Sequence, residues 1–170
     1  SIIALDDGDL VVGATFTPEA MAENARLAFV TSEGNVLTFP AASVRVQGAG
    51  ASGMAGISMP SEARAVFFGA VAGASDGGNQ AMVVTLAGSS SALPGTELGS
   101  VKISPLSAFP DKGRATKGVR CHKLRASEDE IALPWVGPGP VRGATAAGKP
   151  VTLPAPTDKR DATGTPPSAP

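Results

Sequence analysis

The feature that most limits how this chain can fold is that it repeats itself. LAFVTSEG at 27–34 returns as AMVVTLAG at 81–88, with Thr85 on Thr31 and Gly88 on Gly34. VFFGAV at 66–71 repeats LVVGAT at 10–15, with Gly69 on Gly13. Gly48, Gly53 and Met59 map onto Gly113, Gly118 and Leu124, each 65 residues on. A third, eroded copy, TAAGKPVTLPA at 145–155, falls on TSEGNVLTFPA at 31–41 at a constant offset of 114, and RDATGTP at 160–166 echoes the glycine loop. Units of roughly 50–60 residues, each with about four short apolar runs, expose faces that only their neighbours can cover. The pattern predicts an all-β fold: a propeller-like array of about two full blades and a partial third.

Composition agrees with strands rather than helices. Gly 21 and Pro 15 are too much punctuation for a helical bundle. SIIAL-DDGD-LVVGATF reads as strand, turn, strand about Asp7-Gly8, and RLAFVTSEGNVLTF reads as a second hairpin. PEAMAENA at 18–25 is one helical turn or a loop, and ASVRVQGAGASGMAGISM is a Gly-rich loop running into a strand. From Ala155 the chain is Pro-rich and apolar-poor, so residues 1–154 are expected to form the folded domain and 155–170 a loosely ordered tail. At 170 residues this is one domain or part of a larger one, and Ser1 standing directly in a strand-like run reads as a cut from a longer protein.

Net charge is −1, but unevenly placed. Residues 1–100 carry nine acids and three bases; residues 101–170 carry six acids and eleven bases. Six of the 14 Lys and Arg fall between Lys112 and Arg125 (Lys112, Arg114, Lys117, Arg120, Lys123, Arg125) with no acid among them. Gly113 and Gly118 bracket a loop there that feeds the strand-like VRCHKL. Such a loop is either a solvated turn or an edge that meets phosphates without burying charge. The recurrence of its frame at Gly48 and Gly53 favours the second.

Other motifs carry less. Gly48, Gly50 and Gly53 spell G-x-G-x-x-G, but a dinucleotide site needs a helix to start there, and Gly56 and Pro60 leave room only for a strand. Asp6, Asp7 and Asp9 lack the spacing of a calcium loop and read as a turn. Cys121 and His122, adjacent in a strand, point to opposite faces and cannot serve one site. Cys121 is read as a packed small residue and His122 as a surface or rim residue. A lone cysteine also excludes an internal disulfide and suits a reducing cytoplasm. Glu128, Asp129 and Glu130 read as a solvated turn between blades, and SSSA at 89–92 has no identifiable base. Trp135 is a core anchor or, less favoured, a stacking platform for a base. No span long enough to cross a membrane is present, no set of residues composes a catalytic site, and no metal ligand set is found.

GDLVVGA, LAFVTSEGNVLTFPAASVRVQGAGASGMAGISM and FPDKGRATKGVRCHKL resemble the C-terminal domain of the A subunit of bacterial type IIA DNA topoisomerases. The similarity is nearest to an actinobacterial-type topoisomerase IV A subunit, with gyrase next, and runs to about Pro154. It implies a β-pinwheel whose basic rim holds or bends double-stranded DNA during ATP-dependent strand passage, in a cytoplasmic, nucleoid-associated enzyme. The cleaving tyrosine lies upstream, and this chain has no Tyr. ATP and Mg2+ belong to other domains or subunits, so no cofactor is expected in this stretch. The B subunit and a second A subunit are implied as partners through upstream domains. The gyrase wrapping box Q-R-R-G-G-K-G is absent; Gln47-Gly48-Ala49-Gly50 is its nearest relative and lacks the arginines, which favours a topoisomerase IV-like role. DNA contact is expected from the 112–125 run, helped by Lys102, Arg45 and Arg142. The rival reading is a propeller-type protein-interaction module, whose W-D and kelch signatures are missing here.

Overall fold

The computed structural model describes residues 5–72, 80–93 and 99–168. In chain order the elements are α1 (Glu19–Ala22), β1 (Arg26–Thr31), β2 (Asn35–Pro40), β3 (Ala65–Val71), β4 (Ala81–Gly88), β5 (Ser100–Pro105), β6 (Val119–Arg120), β7 (Glu130–Pro138), β8 (Gly143–Ala144) and β9 (Pro150–Val151). Single 3-10 turns at Ala41–Ser43 and Leu106–Ala108 follow β2 and β5.

The repeat is visible in the hydrogen bonding. One antiparallel sheet has the order β3-β1-β2-β6, and a second has β7-β4-β5. In the first, Ala28 faces Gly69 across the ladder; in the second, Met82 faces Gly137. Both glycines lie under the aromatic ring two residues before them: a Cβ would meet Phe67 at 2.9 Å or Trp135 at 2.4 Å. The free edge of β5 is closed by a bridge between Val101 and Thr165, in the position that Val119 of β6 takes beside Val36. These are two equivalent four-membered blades. β8 and β9 form a third hairpin, extended by a Thr152–Ser168 bridge.

The turn glycines correct one detail of the repeat. Gly34 has φ +82 and donates its N–H to Thr31 O at 3.0 Å. Its counterpart is Gly99, with φ +58, not Gly88. Gly99 lies 65 residues on, the same offset that carries NVLTFP onto SVKISP. The second hairpin has therefore gained 11 residues at its turn, which moves the offset from 54 to 65. Gly148, with φ +78, takes the same place in the third hairpin.

Two apolar layers lie between the blades. Ala28, Val30 and Val36 of the first blade meet Val83, Ala87, Ile131 and Val136 of the second, with Leu106, Phe109 and Cys121 filling between. Met82, Val84, Val101 and Ile103 pack with Trp135, Val141 and Leu153 toward the third hairpin. Trp135 is thus a core residue. Arg64 pairs with Glu130 across the first seam.

Three expectations from sequence need correcting. Asp7-Gly8 does turn, with Asp9 N–H donating to Asp6 O at 3.1 Å, but residues 9–16 form no strand, and most of SIIAL lies outside the described residues. The 44–64 stretch contains no strand, and no helix follows its glycines. The stretch expected to be a loose tail is laid across the second blade: Thr157 N–H donates to Ile103 O, Lys123 N–H to Ala162 O, and Thr165 and Val101 exchange both of their backbone bonds. Composition misled there because this segment is held by backbone pairing to the edge of β5, which needs no apolar side chains.

Candidate nucleic-acid interface

The cationic run is anchored by its backbone and leaves its lysines outside. At its start Asp111 pairs with Arg26, which also donates to Thr38 Oγ1 at 2.7 Å. Lys112 N–H reaches Thr38 O at 3.3 Å. Ala115 N–H donates to Gly56 O at 2.7 Å, and Thr116 O accepts from Ser58 N–H at 3.0 Å, so the loop lies along residues 56–58 of the first copy. Gly118, at φ +69, must be glycine: a Cβ would stand 2.3 Å from Val36 O. That close approach lets β6 pair with Asn35 and Val36 as the last strand of the first sheet.

The next two residues cross into the second blade. Cys121 N–H and His122 N–H both donate to Gly34 O, at 2.7 and 3.1 Å. Cys121 is buried in the seam, and burial pushes its thiol up to about 12. His122 is fully buried, contrary to the rim position read from sequence. Its Nε2 accepts from Gly164 N–H at 3.0 Å, so Nδ1 carries the proton and donates to Thr85 Oγ1 at 2.8 Å. Ser100 Oγ lies 3.3 Å from Nε2. Burial, opposed by Glu128 and reinforced by Lys102 and Arg125, pushes the imidazole down to about 4, so it is neutral near pH 7. Cys121 and His122 have different surroundings, but both lie beyond the end of β6 and not in the strand expected for VRCHKL.

The nine expected DNA-contacting cations separate into three groups. Lys112, Lys117, Lys123, Arg45 and Arg142 are exposed, and their side chains have no hydrogen-bond or ion-pair partner among the described residues. Arg114, Arg120 and Arg125 are partly engaged. Arg114 donates to Ala55 O at 2.7 Å, Arg120 faces Asp161 at 3.4 Å, and Arg125 donates to Gly164 O. Lys102 does not belong with them. It is 3% exposed, with Nζ donating to Cys121 O at 2.7 Å and Ser104 Oγ at 2.8 Å. It occupies the place of the buried Leu37 in the first copy, and burial lowers its pKa. Its stem fills a core position and its ammonium is consumed internally, so it cannot meet a phosphate.

The acidic run is only partly solvated: Asp129 stays exposed, while Glu128 is buried and Glu130 half-buried at the start of β7. Glu128 is buried and accepts Arg125 N–H, Asp129 accepts from the N–H and hydroxyl of Ser90, and Glu130 holds Arg64. The bonds from Ser90 hold the Asp129 carboxyl below its ordinary range. Each of these acids is engaged by its own partner, and none pairs with an exposed lysine of 112–125. Sequence reasoning missed Thr85, Ser100 and Gly164 around His122, and Asp161 beside Arg120. The repeated Thr31 and Thr85 was the one available signal.

A family model described as the DNA gyrase C-terminal domain, beta-propeller, matches residues 25–71 and 95–132. These ranges carry the first blade's β1–β3 and, in the second, β5, the cationic run and the start of β7. The chain belongs to that family. Two solved structures share its fold. One, titled as the C-terminal domain of DNA topoisomerase IV, is 23% identical over 67% of this chain and 31% of its own, with a TM-score of 0.53. The other, titled as the DNA gyrase A C-terminal domain, is 17% identical over 95% of this chain and 49% of its own, with a TM-score of 0.57. The chain spans less than half of either structure's length. No curated protein matches it. Among the described residues of this gyrase-family domain, no helix is long and apolar enough to cross a membrane, and no three His, Cys, Asp or Glu are grouped to hold a metal ion.

Proposed function

We propose that this gyrase-family domain grips duplex DNA by its phosphates along the 112–125 segment, as the DNA-holding module of a type IIA topoisomerase A subunit. The observation that carries the reading is the exposure of Lys112, Lys117 and Lys123, without side-chain partners among the described residues, on a loop whose backbone is fixed. Fixed backbone with free ammonium groups suits a polyanion: the cations reach it without breaking internal bonds, and contact does not depend on base sequence. Arg45 and Arg142 extend the same chemistry, while Arg114, Arg120 and Arg125 each exchange a weak or backbone bond for a phosphate. With no tyrosine, the chain supplies no phenol nucleophile; in this reading cleavage, ATP turnover and contacts with the B subunit and second A subunit belong to other parts of the enzyme.

The test is plasmid binding as a function of salt. Three phosphate contacts give a slope of log K against log salt of about −2.7. Lys112→Gln, Lys117→Gln and Lys123→Gln together are expected to remove most of it. The charge-matched control places Glu at the exposed positions Asn24, Ala132 and Ala147 and is expected to leave the slope nearly unchanged. Equal losses in both would make net charge the cause and overturn a localised grip.

A further inference from the structure

The cationic loop begins beside an acid that is kept away from it. Asp111 stands directly before Lys112, yet its carboxylate turns back onto the first blade. Arg26 Nη1 donates to Asp111 Oδ2 at 2.8 Å, Arg26 Nη2 pairs with Oδ1, and Thr38 Oγ1 lies 3.4 Å from Oδ1. Thr38 is buried within β2, so this fork is seated on a fixed sheet. Beside it the backbone adds one long bond, Lys112 N–H on Thr38 O at 3.3 Å, and among the described residues the next that the loop donates is that of Ala115.

The blade fold does not need this pin. The second blade makes the equivalent backbone bond, Thr157 N–H to Ile103 O at 2.9 Å, with neutral residues at both of the pin's sheet positions. By the repeat offsets Gln80 stands where Arg26 does, and Ile103 where Thr38 does. Gln80 donates instead to Ser107 Oγ at 2.8 Å. The loop that follows there, 157–163, carries Lys159 and Arg160 but also Asp158 and Asp161, so its charge cancels. After Asp111, by contrast, come Lys112, Arg114 and Lys117 with no acid before Gly118. The pin accompanies the uncompensated cations rather than the fold. It is also a costly way to hold a sheet, because Arg26 Nε is buried with no partner among the described residues.

We propose that, on the reading that 112–125 grips phosphates, Arg26 and Asp111 are the positioning pair of that grip. Through one carboxylate Arg26 fixes the start of the loop to β1 and β2 and withholds Asp111 from the ammonium of Lys112. An Asp111 released from Arg26 competes with phosphate for its neighbour. A loosened loop also loses the fixed spacing that lets several cations meet one DNA backbone without first being ordered.

Charge alone predicts the opposite sign. Asp111→Ala makes the chain more positive by one, which by net charge tightens plasmid binding. With the pin it is expected to weaken binding several-fold and to make the slope of log K against log salt shallower by about 0.9, one phosphate contact. Asp111→Asn adds the same charge but keeps an acceptor for Arg26, and is expected to rescue the wild-type slope. Arg26→Gln, which installs the residue of the second blade, is expected to weaken binding as Asp111→Ala does, and the two together no more than either alone. A nitroxide on Lys112→Cys is expected to be ordered when Asp111 is present and mobile with Asp111→Ala; buried Cys121 does not compete for the label. Tighter binding by Asp111→Ala, equal effects of the Ala and Asn variants, additive effects of the two pin changes, or a nitroxide that Asp111→Ala leaves ordered would overturn the pairing. If the nitroxide is freed while plasmid binding ignores Lys112→Gln, Lys117→Gln and Lys123→Gln, the grip itself is what fails, and with it the role of the pair in holding DNA.

Discussion

At the scale of single residues, the buried polar groups matter more than the exposed ones. His122 is neutral when folded, with its pKa held near 4 by burial, against about 6.5 in an unfolded chain. Above pH 6.5 both states are neutral and the shift has no effect. As pH falls from about 6.5 to 4 the unfolded state takes up the proton first, and stability drops by on the order of 1 kcal/mol per pH unit. Denaturant melts across that window, alongside an NMR titration of the one histidine, are expected to show the drop and no protonation of the folded state above pH 5. Lys102 gives the complementary case. Lys102→Ala deletes a buried stem and leaves Cys121 O and Ser104 Oγ without their donor, at a cost of about 2–4 kcal/mol. Its salt slope for DNA, measured well below the melting temperature, is expected to stay that of the wild type, which separates it from Lys112, Lys117 and Lys123.

At the scale of elements, the segment from Thr157 to Ser168 behaves as the last strand of the second blade. Truncation after Pro156 removes its backbone bonds to Ile103, Val101, Thr152 and Lys123 and takes the Gly164 N–H from His122. A loss of at least 2 kcal/mol corresponds to a fall in Tm of roughly 4–8 °C for a domain of this size; calorimetry of the truncated chain checks it. What could be read in sequence followed from side-chain pattern. The hairpin 26–40, the blade count and the cationic run all announce themselves through apolar alternation, turn glycines or charge. What could not be read depended on backbone alone or on distant partners. Thr165 sits on an edge strand because Gly164 can approach Ser100 and Val101 closely, and nothing in TGTPPS says so locally. Likewise His122 looked like a rim residue because its partners, Thr85 and Gly164, lie 37 and 42 residues away. Lys102 was misplaced because charge was weighed before its alignment with Leu37.

At the scale of the whole molecule, the two blades share one apolar seam, with Cys121 inside it. Neither blade can then lose its packing alone, and the described structure is expected to unfold from that seam in one step. Cys121 reports on this directly, because its thiol is buried and raised to about 12. Under native conditions it is expected to resist a thiol reagent, and along a denaturant series its labelling is expected to rise together with the loss of strand circular dichroism. Labelling that precedes the circular dichroism change would show the seam opening while the blades persist.

The path of the chain through residues 118–122 has a mechanical side. Lys117 stands immediately before the close approach at Gly118, β6 completes one sheet, and the next two amides clamp onto Gly34 O at the seam. The proposed grip, the edge strand and the seam are thus parts in series on one short tether. A pull on Lys117 is not absorbed by a slack loop: it travels as tension along β6, loads its bonds to Asn35 and Val36 in shear, and arrives at the joint between the blades, which a pull on Lys123 reaches directly.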